Sequence, residues 1–186
     1  MKTRIDKSFV IDRRVQKTKK ALSEALITLI LAKGYEKVTI QDIIDKANIG
    51  RSTFYAHYES KEQLLLDGHN NLGVSLFSKD STLDFLSLFS HAGENIQLAK
   101  AMLGKNSGGI LISYLKNNIA SDIGKQFKNS FAKTRSNKML LKYFSDAAAA
   151  VVISLLVSWI EDDKSCSDVE IAEMCKSVVF SMFEKR

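Results

Sequence analysis

The segment from residue 51 to residue 61 is rich in side chains that donate hydrogen bonds. The donors are a guanidinium, hydroxyls, an imidazole and an ammonium group, carried by Arg51, Ser52, Thr53, Tyr55, His57 and Lys61. Groups of this kind bind phosphate oxygens and base edges, and an arginine can hold a guanine through two hydrogen bonds. The chemistry that these residues offer is therefore recognition of a nucleic acid.

The surrounding residues predict two short helices joined by a tight turn. In the first helix, apolar residues recur at helical spacing at Ile40, Ile43, Ile44 and Ala47. Thr39 and Asp42 have the spacing of a capping box that begins this helix. Residues 48–50 break the pattern, and Phe54 and Tyr58 then share one side of a second helix, where we expect them to belong to the core. This is the layout of a helix-turn-helix, although similar helix pairs occur in other helical proteins.

Positive charge is concentrated in the same part of the chain. The net charge is +6; residues 1–61 contain 13 Lys/Arg and 7 Asp/Glu, whereas residues 62–186 contain 14 of each. A basic module joined to a neutral module is typical of a protein in which one part binds nucleic acid and the other part has a different role. The alternative is an ordinary solvated basic surface, because this excess is modest for the length.

The composition predicts an all-α chain. It contains no proline, and no stretch alternates apolar and polar residues as a strand would. Spacing and capping signals predict about nine helices, at 12–33, 39–47, 51–58, 60–77, 82–90, 94–103, 107–133, 138–161 and 168–184. The expected organisation is a three-helix helix-turn-helix head at 10–60 and a regulatory and dimerisation bundle at 61–186, with the helix at 61–77 as linker.

Other classes of protein are not indicated. The sequence shows no nucleophile beside a base, no paired carboxylates, no glycine-rich phosphate loop and no metal-ligand spacing, so we expect no enzyme, cofactor or metal site. The N-terminus lacks the apolar core of a secretory peptide, and the longest uncharged apolar run, Ala147–Ile160, has 14 residues, too few to span a bilayer. A cytoplasmic protein without a membrane partner is expected.

The order of motifs in the first third of the chain resembles the TetR family of bacterial transcription regulators. The resemblance covers about residues 10–70 and rests on a basic first helix, Gly34-Tyr35, Val38-Thr39-Ile40, Ile43-Ile44, Ala47 and the run from Gly50 to Leu64. The C-terminal part resembles the family in its helical layout. Its run Ala147–Ala150, leading to Ser158-Trp159-Ile160, is similar to a subgroup whose best-known member activates dihydroxyacetone kinase genes.

The resemblance implies an all-helical homodimer whose two heads insert recognition helices into successive major grooves of a palindromic double-stranded DNA site. Carried over by position, the DNA contacts come from Thr39, Arg51, Ser52, Thr53, Tyr55, His57 and Lys61. The implied function is transcriptional regulation, with a repressor released by a small-molecule effector as the expected form. The alternatives are an activator of the same fold, or a helix-turn-helix module that binds another protein instead of DNA.

The last two predicted helices carry stripes that predict the dimer interface. One stripe is Ala147, Val151, Ser154 and Ser158, and the other is Ile171, Cys175, Val178 and Met182. Both follow the i, i+4, i+7, i+11 spacing of a helix-bundle seam. Packing inside one subunit produces the same spacing, so that alternative stays open.

Residues 82–160 are expected to hold a pocket for a small apolar or amphipathic effector. The region is rich in large, adaptable side chains, namely Phe85, Phe89, Met102, Tyr114, Phe127, Phe131, Phe144 and Trp159. The same side chains would also make an ordinary core. We expect an uncharged or weakly polar ligand, because no charged residue among these stretches indicates an ionic one; no lining residue is assigned.

Overall fold

The computed structural model describes residues 7–71, 83–104, 109–131 and 135–184. Over these ranges the chain forms nine α-helices, two 3-10 turns and no β-strand. The helices are α1 (Lys7–Lys33), α2 (Ile40–Ala47), α3 (Arg51–Tyr55), α4 (Lys61–Asn71), α5 (Phe85–Glu94), α6 (Ile96–Leu103), α7 (Ile110–Phe127), α8 (Arg135–Glu161) and α9 (Asp168–Ser181). The all-α class predicted from the sequence is confirmed.

Several helix ends differ from the prediction: α1 begins at Lys7 and not at residue 12, α7 ends at Phe127 and not at residue 133, and α3 ends at Tyr55 and not at residue 58. The backbone N–H groups of His57 and Tyr58 both donate to the carbonyl of Phe54, at 3.0 and 2.9 Å, and this turn brings Tyr58 into the core. The predicted extension of α4 to residue 77 lies partly outside the described residues.

The chain divides into two compact units, Met1–Leu72 and Gly73–Arg186. Helix α4 therefore belongs to the first unit, whereas the sequence-based division at residues 60 and 61 assigned it to the second. The physical reason is that α4 packs on α1, with Leu64 and Leu65 buried. A hydrogen-bonded ion pair between Lys19 and Asp67 adds a polar link between the same two helices.

The core of the first unit is formed by one face of α1 and the apolar residues of the helix-turn-helix. Leu22, Ala25, Leu26 and Ile30 recur at the spacing of a single helical face, and all four are buried. They share the unit with buried residues that follow along the chain, namely Tyr35, Val38, Ile43, Ile44, Phe54 and Tyr58. Helix α1 is therefore the surface against which the helix-turn-helix packs.

Helix α8 is the central element of the second unit and contacts α5, α6, α7 and α9. The 25-residue stretch Asn137–Glu161 is long and apolar enough to cross a membrane, with a mean hydropathy of 1.8 over an 18-residue window. The uncharged 14-residue run Ala147–Ile160 lies within this stretch, which also contains Lys138, Lys142 and Asp146. A core helix has the same composition, and Ala148, Ala149, Val152 and Leu156 are at most 1% exposed within the unit.

Aromatic side chains pack together at two places in the second unit. Trp159 is 2% exposed; its Nε1 donates to the carbonyl of Cys166 at 2.9 Å, and its ring meets Phe89 edge-on with centroids 5.5 Å apart. Elsewhere in the unit, five phenylalanine rings form a cluster with centroid distances from 3.9 to 6.4 Å, made by Phe127, Phe131, Phe144, Phe180 and Phe183.

Candidate nucleic-acid interface

A reciprocal capping box begins α2. Thr39 Oγ1 accepts a hydrogen bond from the backbone N–H of Asp42 at 3.1 Å, and Asp42 Oδ2 accepts from the backbone N–H and the hydroxyl of Thr39 at 2.7 and 2.6 Å. Lys33 Nζ lies 2.7 Å from the same oxygen. The hydrogen bonds from Lys33 and Thr39 hold the pKa of Asp42 well below its usual range. The capping box predicted from the sequence is confirmed.

The turn between α2 and α3 is made by Asn48, Ile49 and Gly50. Asn48 has a left-handed backbone, with φ 52° and ψ 50°, a conformation that asparagine adopts more readily than most residues. The N–H groups of Asn48 and Ile49 donate to the carbonyls of Asp45 and Ile44 at 3.2 and 3.0 Å and close α2. Gly50 then begins α3 without a side-chain cap.

Helix α3 is held by one buried side chain and presents the rest of its surface to solvent. Phe54 is fully buried, and its ring lies 6.1 Å from that of Tyr58, which is 3% exposed. The interpretation of these two aromatic residues as core is confirmed. The exposed residues of α3 are Arg51, Ser52, Thr53 and Tyr55. Because Phe54 fixes the rotation of the helix, these donors face away from the core.

His57 and Thr39, two other predicted contacts, lie at the edges of the same surface. His57 follows the end of α3, is half-buried and has its ring 6.5 Å from that of Tyr58. Thr39 is exposed, but its hydroxyl proton is given to Asp42 in the capping box. Donation by this hydroxyl to a phosphate therefore requires the bond to Asp42 to be exchanged.

Lys61, at the first position of α4, makes contacts that the sequence did not indicate. Its Nζ donates to the carbonyl oxygens of Tyr35 and Val38, at 3.2 and 3.0 Å, and lies 4.3 Å from the centre of the Tyr35 ring. The Tyr35 hydroxyl donates to Glu62 at 3.0 Å, and burial with this hydrogen bond raises the pKa of Tyr35. Lys61 thus ties the segment before α2 to the start of α4. Its contact with DNA stays a prediction.

Asp67 is a second polar link that sequence reasoning missed. Its Oδ2 accepts from the Tyr58 hydroxyl at 2.6 Å and from Lys19 Nζ at 3.2 Å, so it joins α4 to α1 and to the residue that follows α3. Burial and the hydrogen bond to Asp67 raise the pKa of Tyr58. No local spacing signals this contact, because Lys19 and Asp67 are 48 residues apart.

The stripe predicted on α8 lies at the surface of the second unit. Ala147, Ser154 and Ser158 are exposed and Val151 is half-buried. Tyr143, one turn before Ala147, is 58% exposed and extends the stripe towards the start of the helix. This face of α8 is therefore available for contact with another molecule.

The stripe predicted on α9 divides between core and surface. Ile171 and Cys175 are 4% and 0% exposed in the single subunit, which corrects their assignment to an interface. Their spacing reflects packing of α9 on α5 and α8, and burial raises the pKa of the Cys175 thiol to about 12. Val178 is 39% exposed and Met182 is half-buried, so these two remain at the surface.

A cleft of about 660 Å³ lies between the second half of α7 and the first half of α8. Of the eight large side chains expected around a pocket, Phe131 lines this cleft, whereas Phe85, Phe89 and Trp159 are core residues at most 2% exposed. Four lysines also line it, namely Lys125, Lys128, Lys138 and Lys142. The expectation of an uncharged ligand does not fit this lining.

The fold and the surface of α3 define a helix-turn-helix protein of the DNA-binding class. Residues 22–67 match the family described as bacterial regulatory proteins, tetR family, and residues 80–181 match a transcriptional regulator C-terminal region. The chain belongs to the TetR family of transcriptional regulators. Members of this family are soluble DNA-binding regulators and not enzymes, they are commonly repressors, and homodimers are typical.

Individual relatives agree with this family. The uncharacterised HTH-type transcriptional regulator YxbF of Bacillus subtilis (strain 168) is 48% identical over 61 residues, which are 32% of this chain and 16% of that much longer relative. The structure of a TetR transcriptional regulator from Streptococcus agalactiae 2603V has 26% identity and a TM-score of 0.65, covering 92% of this chain and 98% of that one. The dihydroxyacetone kinase operon activator DhaS, at 18% identity, has a TM-score of 0.61 with 90% and 96% coverage, which shows a shared fold.

Proposed function

We propose that this protein is a sequence-specific transcriptional repressor that binds a palindromic operator as a homodimer and is released by a small-molecule effector. The surface of α3 carries the DNA-binding part of the proposal. Burial of Phe54 leaves a short row of hydrogen-bond donors exposed on the second helix of the helix-turn-helix, made by Arg51, Ser52, Thr53 and Tyr55. The excess positive charge of residues 1–61 supports attraction to phosphates.

Each donor has a role that follows from its chemistry. Arg51 is the candidate for bidentate recognition of a guanine. Ser52 and Thr53 have short side chains, which permit close approach of the α3 backbone to the DNA. Lys61 begins α4, where backbone N–H groups also favour an anionic phosphate. The exposure of Tyr55 and the partial exposure of His57 support contacts with phosphates or base edges at the rim.

Selection of bound duplexes from a random pool tests this function, followed by affinity measurement by fluorescence anisotropy over a range of salt concentrations. We expect salt-sensitive binding, and we expect Arg51→Ala to cost about 1–3 kcal/mol on the selected duplex and to relax the preference at one base position. Lys176→Ala, at an exposed lysine of the second unit, is the matched control and should bind normally. A folded Arg51→Ala variant with unchanged affinity and preference would refute the recognition role. Absence of salt-sensitive binding would favour the protein-interaction alternative.

The proposed dimer interface combines the exposed stripe of α8 with the exposed part of α9. Its α8 residues are small or medium in size, which permits close approach of two helices in a bundle. Ser154→Arg places a bulky charge at the centre of the stripe and should give monomers in sedimentation velocity with loss of tight operator binding. Ser113→Arg, at an exposed serine of α7, is the control. A folded Ser154→Arg dimer would overturn the interface.

The sign of regulation and the location of the protein complete the proposal. We place the protein in the cytoplasm, with α8 acting as the core helix of the second unit and not as a membrane span. A genome-wide map of bound sites would identify the regulated genes. Deletion of the regulator should then raise their transcription, whereas reduced transcription would establish the activator alternative.

A further inference from the structure

The cleft between α7 and α8 has a cationic rim. Lys125 lies near the end of α7 and Lys128 follows it, while Lys138 and Lys142 are one turn apart on α8. With Asp146 as the acidic member of the lining, the four lysines give the cleft a net charge of +3. Like charges around one cleft repel one another, and a bound anion would reduce this repulsion.

The ion pairs of these lysines leave most of that charge uncompensated. Lys125 pairs with Asp122 at 2.8 Å on its own helix. Within the described part of the chain, Lys128, Lys138 and Lys142 form no ion pair. The three ammonium groups are therefore available to a ligand that enters between the two helices.

The inner wall of the cleft holds a polar atom without a partner. Ser145 is 4% exposed, and its Oγ forms no hydrogen bond with any described residue. Burying a hydroxyl without a hydrogen bond is unfavourable, and most buried hydroxyls in folded proteins have a partner. Ser145 lines the cleft, but its Oγ has almost no exposed surface, so a hydrogen bond to a ligand requires this side chain to rotate towards the cleft.

A helical glycine lies close to this hydroxyl at the wall of the cleft. Gly124 is in α7, and a Cβ added there would lie 3.4 Å from Ser145 Oγ. Glycine inside a helix is less stable than alanine, and its missing side chain here lets α7 pack closely against α8 at Ser145. Phe131 and Leu141 add apolar surface to the same cleft, and Phe131 is held against Phe144 and Phe183 in the aromatic cluster.

We propose that this cleft binds an organic anion with a carboxylate or phosphate head and a short apolar body. The head meets the lysines and the Ser145 hydroxyl, and the body lies on Phe131 and Leu141. The volume of about 660 Å³ falls in the range of small-molecule sites. The inference that such an anion is the effector rests on the proposed function, whereas binding itself does not.

The position of the cleft on α8 is compatible with the proposed dimer. With about 100° of rotation per residue, Lys138, Lys142 and Ser145 lie on the side of α8 opposite the exposed stripe that begins at Ala147. The dimer contact and the cleft therefore use different faces of one helix. A ligand bound against the first half of α8 is in direct contact with the element that is proposed to hold the two subunits together.

Two fluorescent probes of the same shape test the proposal on the full-length protein without DNA. Anilinonaphthalene sulfonate carries an anionic group on an apolar body, and phenylnaphthylamine is its uncharged counterpart. We expect the wild type to bind the sulfonate at least tenfold more tightly, a difference of about 1.4 kcal/mol. Equal affinities for the two probes would overturn the proposal, because the cleft would then be an apolar site.

Variants that remove lysine charges test whether the sulfonate binds in this cleft. The double variant Lys138→Gln with Lys142→Gln keeps helix-forming side chains and should lose at least tenfold in affinity for the sulfonate, with little change for the neutral probe. Lys176→Gln on α9 is the matched control and should bind both probes as the wild type does. Unchanged sulfonate binding by the double variant would overturn the assignment to this cleft.

Ser145→Ala separates a ligand contact from a structural role. Removing a buried hydroxyl that has no partner should leave the melting temperature unchanged or raised, while affinity for the sulfonate falls several-fold. An unchanged affinity would remove Ser145 from the site. Gly124→Ala should likewise raise the melting temperature and weaken binding, because its methyl group narrows the cleft; unchanged binding would place the ligand elsewhere.

Displacement of the sulfonate by other compounds identifies the preferred head group, and addition of the same anion to the DNA complex tests its effect on DNA binding. Displacement of the sulfonate by decanoate would indicate a carboxylate ligand and displacement by decyl phosphate a phosphate ligand, whereas equal displacement by decanol would overturn the anionic site. The competing anion is then added to the protein bound to its selected duplex. If the anion binds but DNA affinity is unchanged, the effector role is overturned and the binding site stands. If the anion-free protein does not bind DNA, that result counts against the proposed function and not against the site.

Discussion

Replacement of Lys61 by methionine tests whether the link between the two ends of the helix-turn-helix stabilises the head. Methionine keeps an unbranched apolar stem on the Tyr35 ring but removes the hydrogen bonds to the carbonyls of Tyr35 and Val38, at 3.2 and 3.0 Å. A hydrogen bond from a charged donor contributes roughly 1.5–3 kcal/mol, and partial exposure of the site reduces this to about 1 kcal/mol for each bond. Loss of the cation–π contact adds roughly 0.5 kcal/mol. We therefore expect the free energy of unfolding to fall by about 2.5 kcal/mol.

The assay is urea denaturation followed by far-UV circular dichroism, with Lys46→Met as the control. Lys46 is exposed on α2 and has no partner within the described residues, so its replacement makes the same change of charge without breaking a contact. Lys46→Met should unfold within about 0.5 kcal/mol of the wild type. The reasoning is refuted if Lys61→Met is as stable as this control.

The same variant also tests the predicted phosphate contact. A lysine ammonium has three N–H donors, and two of them bind the carbonyls of Tyr35 and Val38. If the third reaches a DNA phosphate, Lys61→Met should weaken binding to all duplexes alike and reduce the salt slope by about 1. A less stable variant with an unchanged slope would establish Lys61 as a structural link without a phosphate contact.

Four further predictions follow from single residues. Gly34 has φ 78° and ψ 148°, a conformation almost restricted to glycine, so Gly34→Ala should cost about 1–3 kcal/mol in urea denaturation although no atom lies within 4 Å of the added Cβ. Gly50 has φ −67° and room for a side chain, so Gly50→Ser should supply the missing cap of α3 and raise stability by about 0.5 kcal/mol or more. The buried Cys175 thiol, whose pKa is raised to about 12, should resist maleimide in the native protein, while the half-buried Cys166 reacts first; equal labelling, read by mass spectrometry, would contradict its burial. Because the folded-state pKa of Asp42 is lowered, its contribution to stability is present above its unfolded pKa and is lost as pH falls, so the advantage of the wild type over Asp42→Asn in urea midpoints should shrink below about pH 4.

Features whose partners are close in sequence could be predicted from the sequence. The capping box of Thr39 and Asp42 joins residues three positions apart, and both halves are present. Ser60 and Gln63 have the same spacing but form only half of a capping box: the Ser60 hydroxyl accepts from the backbone N–H of Gln63 at 3.2 Å, whereas the Gln63 side chain accepts from the backbone N–H of Glu59. Local spacing therefore predicts the presence of a helix cap more reliably than it predicts which hydrogen bonds form the cap.

Features that depend on tertiary contacts could not be predicted in this way. The partners of Lys61 are backbone carbonyls 23 and 26 residues away, and a carbonyl has no signature in the sequence. Helical spacing placed Ile171 and Cys175 correctly on an apolar face, but it does not distinguish burial within one subunit from burial between two. The cleft combines lysines from two parts of the chain whose relative position is a result of folding, so spacing along one helix does not reveal their shared charge.

The single tryptophan gives the protein an internal optical probe for one of its two units. Trp159 is the chain's one tryptophan, and its ring is enclosed in the second unit by Phe89 and by the hydrogen bond to the Cys166 carbonyl. Its emission therefore reports the folding of Gly73–Arg186, whereas circular dichroism reports the helices of both units. If the DNA-binding head melts separately, the dichroism signal will fall in two steps while the fluorescence changes in one. Comparing the two signals would measure the thermodynamic coupling between the head and the rest of the chain without an introduced label.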